Sequence, residues 1–430
     1  MFNSFHYHCA AVMSASTPGR HPLRGNGAMR VFLCLRDHEG EGKDAALSVD
    51  DEDKTTVKET KAKDGRNKSF SCDEAFPPTA SSGDIFHTAV RPLLLHALDG
   101  ATCTFFLYGQ KGVGKSFLIN GVTNTSPSAT GNAGGVSTDE NEQGLIGRSI
   151  DQLYEFVGKR PDSYAIKASY FEVRTDDEIV DLLDPTPPPE IKYRIRGSEE
   201  TLYNDRCVHI EGLTQTTVAN KKELMGIYEK GLANRKIMQS LDGGIEHQSS
   251  QSHTIFQICI QYSVEGGGEG SGVLLGSAGT VTTGYLNMVD LMGSCEKCAD
   301  TGAVSTSSSP NNGLDALHKV IEKLANSSST SPSRNELRFG SSSPSIPTKK
   351  HIPFRDSILT RILKPSFQCH SLVVTCIMCM ISSQEKNIED SIRVLKFSQV
   401  CKHLKLPQIE NFEYEIILET IKFEIGESNS

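Results

Sequence analysis

No apolar run in these 430 residues approaches the 18 needed to cross a bilayer as a helix, so a helical membrane span is not expected. Apolar content is low at 37%, and several Ser- and Gly-rich stretches account for the shortfall. The first 27 residues contain no acid and carry Arg20 and Arg24, yet they lack an apolar core, which argues against a secretory signal. The twelve cysteines have no framework spacing, as suits a reducing cytosol. Nor is there a basic excess: the net charge of −9 speaks against a general nucleic-acid binder. Length alone permits one large domain or two ordinary ones.

What is present is first a glycine-rich motif. Gly109-Gln110-Lys111-Gly112-Val113-Gly114-Lys115-Ser116 fits the phosphate-binding pattern G-x-x-x-x-G-K-[ST] without a mismatch. Glycines let successive backbone N–H groups turn inward around phosphates. Lys115 would reach the terminal phosphates and the Ser116 hydroxyl would ligate Mg²⁺. Thr104 to Tyr108 reads as a buried strand entering the loop, and Phe117-Leu118-Ile119 opens a helix beyond it. Further strands are expected at 29–35, 164–173, 255–262, 285–291 and 371–381. Helices are expected at 84–98, 146–158, 220–239, 313–325 and 386–403. Residues 37–67 read as a polar loop, and 264–280 as a glycine-rich hairpin connection. The expected fold class is α/β: a P-loop NTPase with a central, mostly parallel β-sheet flanked by helices.

A P-loop enzyme also needs a γ-phosphate sensor. Asp290-Leu291-Met292-Gly293 supplies a D-x-x-G at a strand end, where Asp290 can hold Mg²⁺ through water and Gly293 can meet the γ-phosphate. It lies 181 residues after Gly109, too far for a small GTPase, and Asn220-Lys221-Lys222-Glu223 only imitates the guanine-reading N-K-x-D. Ser249-Ser250-Gln251-Ser252-His253, followed by a strand from Thr254, resembles the S-S-R-S-H first switch of the kinesin motor family. Ala168 to Val173 with Asp181-Leu182-Leu183 is similar to that family's S-Y-x-E-I and D-L-L. Gly212-Leu213-Thr214, and Gly231 with Asn234-Arg235, match the run before the switch. Leu314 to Ile321 resembles L-S-A-L-G-x-V-I. His351-Ile352-Pro353-Phe354-Arg355-Asp356-Ser357-Ile358-Leu359-Thr360-Arg361-Ile362-Leu363 resembles H-I-P-Y-R-D-S-K-L-T-R-L-L. The resemblance runs in order from about residue 29 to 411.

It implies a motor-like domain over 28–405, with insertions at 37–67, 122–143 and 327–348. A flexible extension would occupy 1–27 and a neck-linker-like segment 406–430. The implied cofactors are ATP and Mg²⁺, held by Gly109 to Ser116. Mg²⁺ would take Ser116, Ser250 and Asp290. Ser249, Ser250, Asp290 and Gly293 would close on the terminal phosphate as catalytic residues. Arg36 and Phe117 would meet the base, although Phe117 also reads as apolar core. The implied partner is the microtubule, faced by Arg355, Arg361, Lys349 and Lys350, and the implied location is the cytoplasm, on the cytoskeleton. No nucleic-acid, membrane or stalk-mediated dimer partner is expected, since Tyr414, Leu418, Ile421 and Ile425 span under two heptads.

Several positions depart from the family pattern. R-x-R-P becomes Cys34-Leu35-Arg36-Asp37, which should loosen base recognition. The switch asparagine becomes Glu246. The switch arginine becomes Gln251, and its glutamate partner becomes Cys295. Charge-assisted bonds are roughly twice as strong as neutral ones, so closure and hydrolysis should be slowed. The lysine of D-S-K-L-T is Ile358. The 327–348 insertion carries Arg334 and Arg338 and leads to Lys349 and Lys350; it could grip an acidic polymer or be an inert insert. Cys295-x-x-Cys298 and Cys376-x-x-Cys379 look like zinc half-sites, but the second pair sits in a strand and points to opposite faces.

Overall fold

A computed structural model of the chain describes residues 28–36, 45–50, 52–60, 67–122, 142–158, 164–174, 177–184, 193–196, 208–241, 252–264, 280–294, 312–328, 351–368 and 373–406. The extension 1–27, the insertion beyond Ser328 and the segment after Leu406 lie outside them. The first strands are β1 (Arg30–Arg36), β2 (Leu47–Val49), β3 (Thr56–Glu59), β4 (Ser69–Ser71) and β5 (Glu74–Phe76). A helical stretch follows: α1 (Ser82–Ile85), a π-helical segment (Phe86–Val90) and α2 (Arg91–Leu98). Then come β6 (Thr102–Gly109), α3 (Lys115–Asn120), α4 (Leu145–Val157), β7 (Tyr164–Arg174) and β8 (Ile179–Asp181). Next are β9 (Arg194–Arg196), β10 (His209–Glu211), β11 (Thr216–Val218), α5 (Lys221–Leu241), β12 (Ser252–Val264) and β13 (Thr280–Asp290). The chain continues through α6 (Asn312–Ser328), α7 (Ile358–Leu363), β14 (Val373–Ser382) and α8 (Ile388–Lys402).

Nine strands form the main sheet in the order β11-β7-β12-β13-β6-β14-β1-β5, with β8 pairing β7. The expected P-loop α/β class stands, and the sheet is mixed. It is parallel around β6, which lies between β13 and β14, and β14-β1-β5 continues in parallel. It is antiparallel from β13 through β12 and β7 to β11. β12 and β13 pair from Thr254↔Asp290 to Val264↔Thr280, so the stretch read as a hairpin connection does join antiparallel neighbours.

Alternation along the central strands explains the two core layers. In β6, Cys103, Phe105 and Leu107 face the layer containing Leu93, Ile150 and Leu224. Phe106 and Tyr108 face the layer containing Leu317, Leu359 and Leu395. Every residue of β6 is buried, as expected of a parallel strand covered on both faces. The same period separates Cys376 from Cys379, which fall in opposite layers. No group of metal ligands occurs among the described residues.

Two local readings need correction. Residues 37–67 are not simply a loop: β2 and β3 lie there and form a three-stranded antiparallel sheet with β4. Its only deeply buried apolar side chains are Leu47, Val57 and Phe70, so the alternation is masked by charges that pair on its surface, as Lys58 does with Asp50. The helix expected over 84–98 starts at Ser82 behind a capping box, in which Ser81 Oγ accepts from Asp84 N at 3.1 Å and Asp84 Oδ2 accepts from Ser81 N at 2.9 Å. A π-helical turn precedes Pro92, which has no N–H to donate. Among the described residues, no helix is long and apolar enough to cross a membrane.

Candidate functional site

The glycine-rich loop leaves β6 where the sheet brings three strand ends together. Leu107 stands opposite both Asp290 of β13 and Met378 of β14. Gly109 has φ +153°, and a Cβ there would sit 2.2 Å from the Met380 carbonyl oxygen, so no other residue fits this register. Gly112 and Gly114 take φ of +80° and +90°, which turns the loop into α3.

Lys115 is buried, and its Nζ donates to the carbonyls of Gly109 at 2.8 Å and Gln110 at 2.9 Å. Burial lowers its pKa to about 8, against the opposing pull of Asp290. Asp290 is also buried. Its carboxyl is pushed above the ordinary range by burial, opposed by the Lys115 and Arg235 charges and the Ser116 hydroxyl. Its Oδ1 has no hydrogen-bond partner among the described residues. An orphaned carboxylate oxygen beside a serine hydroxyl suits a hard cation with oxygen ligands, so these residues fit Mg²⁺.

Gly293 is drawn onto the loop. A Cβ there would lie 3.0 Å from Lys111 N and Cα, and Ser294 N donates to Gly109 O at 3.2 Å. The D-x-x-G segment therefore touches the phosphate loop across 181 residues of chain. Phe117 is 57% exposed, which removes the reading as apolar core. Arg36 ends β1 and its Nη1 donates to Ala80 O at 3.5 Å. Ser249, Ser250, Gln251, Glu246, Cys295, Lys349 and Lys350 lie outside the described residues.

His253, on the strand after the first switch, is buried and accepts from Met292 N through Nδ1 at 3.2 Å. Burial drives its pKa down to about 3, so the ring stays neutral and acts as a structural tie between β12 and the segment after Asp290.

Three features were not legible as site features in the sequence. Glu172, Arg235 and Ser252 form a buried cluster: Arg235 Nε lies 3.3 Å from Glu172 Oε2, and Ser252 Oγ donates to the same oxygen at 3.0 Å. Arg174 Nε adds a bond to Glu172 Oε1 at 3.2 Å. The family-like S-Y-F-E-V and N-R runs named these residues without pairing them. Ser391 of α8 donates to Gln110 Oε1 at 3.2 Å and buttresses the loop from 281 residues away, beyond any local pattern. Arg361 Nη2 donates to Ile195 O at 3.4 Å, bringing α7 against β9, whose Arg194 and Arg196 are exposed. Exposed Arg355 lies just upstream of α7.

Comparison with known proteins agrees with this geometry. The kinesin motor domain family model matches residues 30–404. Kinesin-like protein KIN-5A of Arabidopsis thaliana is 29% identical over 347 residues, covering 79% of this chain and 29% of the relative. Kinesin-related protein 3 of Dictyostelium discoideum is 29% identical over 372 residues, 85% of this chain and 26% of the relative. Kinesin-like protein KIF11 of Xenopus tropicalis is 29% identical over 344 residues, 78% and 28% respectively. The chain thus spans less than a third of the length of these relatives. The solved structure of a fast kinesin matches with a TM-score of 0.67 and 24% identity, over 90% of this chain and 96% of its own, a likeness of fold. The family match extends from the first strand to the end of the last helix and takes in the phosphate loop and the D-x-x-G between them, and this chain belongs to the kinesin motor domain family.

Proposed function

We propose that this chain is an ATP-dependent microtubule motor domain spanning 28–405, with hydrolysis slowed by its altered switches. The carrying observation is the contact between the phosphate loop and Gly293, far apart in sequence and adjacent in the fold. Kinesin motor domains are generally microtubule-stimulated ATPases, and the family match supports that role here. In this reading the loop from Gly109 to Ser116 cradles the phosphates of ATP. Lys115 exchanges its two carbonyl bonds for the β- and γ-phosphates. Ser116 and Asp290, with Ser250, hold Mg²⁺, which supplies neutralisation of phosphate charge when bound. Ser249 and Ser250 close over the terminal phosphate, and Gly293 N–H senses it. Phe117, exposed beside the loop, and Arg36 border the base. Loss of the γ-phosphate passes through α6 to the polymer face and to the neck-linker-like segment after Lys405.

The polymer face would comprise Arg355, Arg361, Lys349 and Lys350, to which Arg194 and Arg196 of β9 are natural additions. Such a cationic surface fits an acidic filament, and the working location is the cytoplasmic microtubule array.

A second reading is favoured by one observation: both partners of the family's switch salt bridge are replaced, as Gln251 and Cys295. This makes the chain a nucleotide-binding, microtubule-associated scaffold without turnover. Phosphate release measured with and without microtubules separates the two. Stimulation of about tenfold or more supports the motor, whereas intact binding without stimulation supports the scaffold. Absence of adenine nucleotide binding at millimolar concentration ends both.

A further inference from the structure

The pattern that defines the phosphate loop requires one lysine, and this chain carries two. Lys115 is the buried one that the pattern demands. Lys111 is exposed at the crown of the loop and has no hydrogen bond or ion pair among the described residues. It is rooted against the D-x-x-G glycine: a Cβ on Gly293 would lie 3.0 Å from Lys111 N and Cα and 3.1 Å from Lys111 Cβ. The next residue, Gly112, has nothing within 4 Å of the place its Cβ would take, so the space over the crown is open.

We propose that the Lys111 ammonium is a second cationic contact to the terminal phosphate of a nucleoside triphosphate, and that it sets the preference for triphosphate over diphosphate. The inference rests on the reading of this loop as the nucleotide site. Among the described residues 291–294, the N–H groups of Leu291, Met292 and Ser294 are already bonded, so Gly293 is the one whose N–H is offered to a γ-phosphate in that reading, and Lys111 starts from the same point. A lysine is a compact point charge on a flexible four-carbon stem with three donors, suited to following a phosphate without a fixed fork geometry. A diphosphate ends short of Gly293 and leaves Lys111 in solvent. A triphosphate gives it an anion and ties the loop to the segment after Asp290. That tie would serve a chain whose sequence has Gln251 and Cys295 in place of the family's charged switch pair.

The test is a paired titration of the wild-type chain, Lys111→Met and Lys111→Arg with Mg²⁺ and either a non-hydrolysable ATP analogue or ADP. Methionine keeps the stem length and removes the charge; arginine keeps the charge. The expected result is a loss of roughly tenfold for the triphosphate in Lys111→Met, with ADP affinity changed less than about twofold. Lys111→Arg should recover most of the loss, and the difference should shrink as salt is raised. Equal losses for both nucleotides overturn the proposal by making Lys111 a structural loop residue. Unchanged affinity for both overturns it by making the side chain a solvated bystander. A wild-type chain that binds neither nucleotide refutes the nucleotide reading itself, and this inference falls with it.

Discussion

His318 stands where the family pattern L-S-A-L-G-x-V-I has a glycine, and it fills the space with a ring. Its imidazole lies 4.0 Å from the Phe397 ring and 5.5 Å from that of Tyr108, centroid to centroid. Tyr108 and Phe397 are themselves 5.0 Å apart. One residue thereby ties α6 to α8 and to the strand that enters the phosphate loop. The Nε2 is buried without a partner among the described residues, and burial lowers the pKa to about 4. His253 is the titratable neighbour, and it too stays neutral. Because the folded pKa lies below the ordinary 6.5, the unfolded chain takes up a proton first as pH falls. The stability that depends on neutral His318 is full at pH 7 and is lost between about pH 6.5 and 4, in total on the order of 3 kcal/mol. Urea unfolding at pH 7 and pH 4.5 should show His318→Phe losing less stability on acidification than the wild type. Parallel losses would show that this ring plays no part.

At the scale of elements, β12 is held at its start by charges rather than by apolar contact. Glu172 on β7, Arg235 on α5 and Ser252 on β12 meet in a space almost closed to solvent, the Glu172 and Arg235 side chains being 5% and 8% exposed. The sequence has uncharged Gln251 and Cys295 where the resemblance puts the family's switch pair, and this cluster fixes the strand immediately following Gln251. A buried pair is costly to assemble and costlier to halve, because the surviving charge has no water to retreat to. Arg235→Ala should therefore destabilise the fold by about 3–5 kcal/mol. Arg235→Ala combined with Glu172→Ala should cost less than the sum of the single changes, measured by chemical denaturation. Strict additivity would mean that the two side chains do not interact. The small β2-β3-β4 sheet obeys the opposite logic, with few buried side chains and a charged surface, which is why 37–67 reads as loop from sequence alone.

For the whole molecule, the sheet order sets which distant segments meet. The strand ends at Gly109, Asp290 and Met380 gather the phosphate loop and the D-x-x-G. Elsewhere α7 meets β9 at Ile195, which brings Arg361 near exposed Arg194 and near Arg196, itself paired with Glu211 of β10 at 3.0 Å. An exposed charge contributes about 0.2–1 kcal/mol to a contact, so removing three should weaken polymer binding several-fold to about a hundredfold. If the proposed motor reading holds, the variant Arg194→Ala/Arg196→Ala/Arg361→Ala should co-sediment less with microtubules at low salt and converge with wild type at high salt. An unchanged affinity at low salt would remove these arginines from the proposed polymer face.

The glycine-rich turn between β6 and α3, the D-x-x-G at the end of β13 and the opposed faces of Cys376 and Cys379 were legible in the sequence as geometry. Each depends on spacing within a few residues, where chain geometry leaves little choice. The order of family-like blocks likewise carried the fold class. Other features were decided only when distant segments packed: the seat of Gly293 on Lys111, the Ser391 support beneath Gln110, the Glu172–Arg235–Ser252 cluster, the rings around His318 and the pairing of α7 with β9. None of these has a local signature, because the partners are brought together by the sheet's strand order and by the exclusion of water from its two faces, and chain proximity has no share in it.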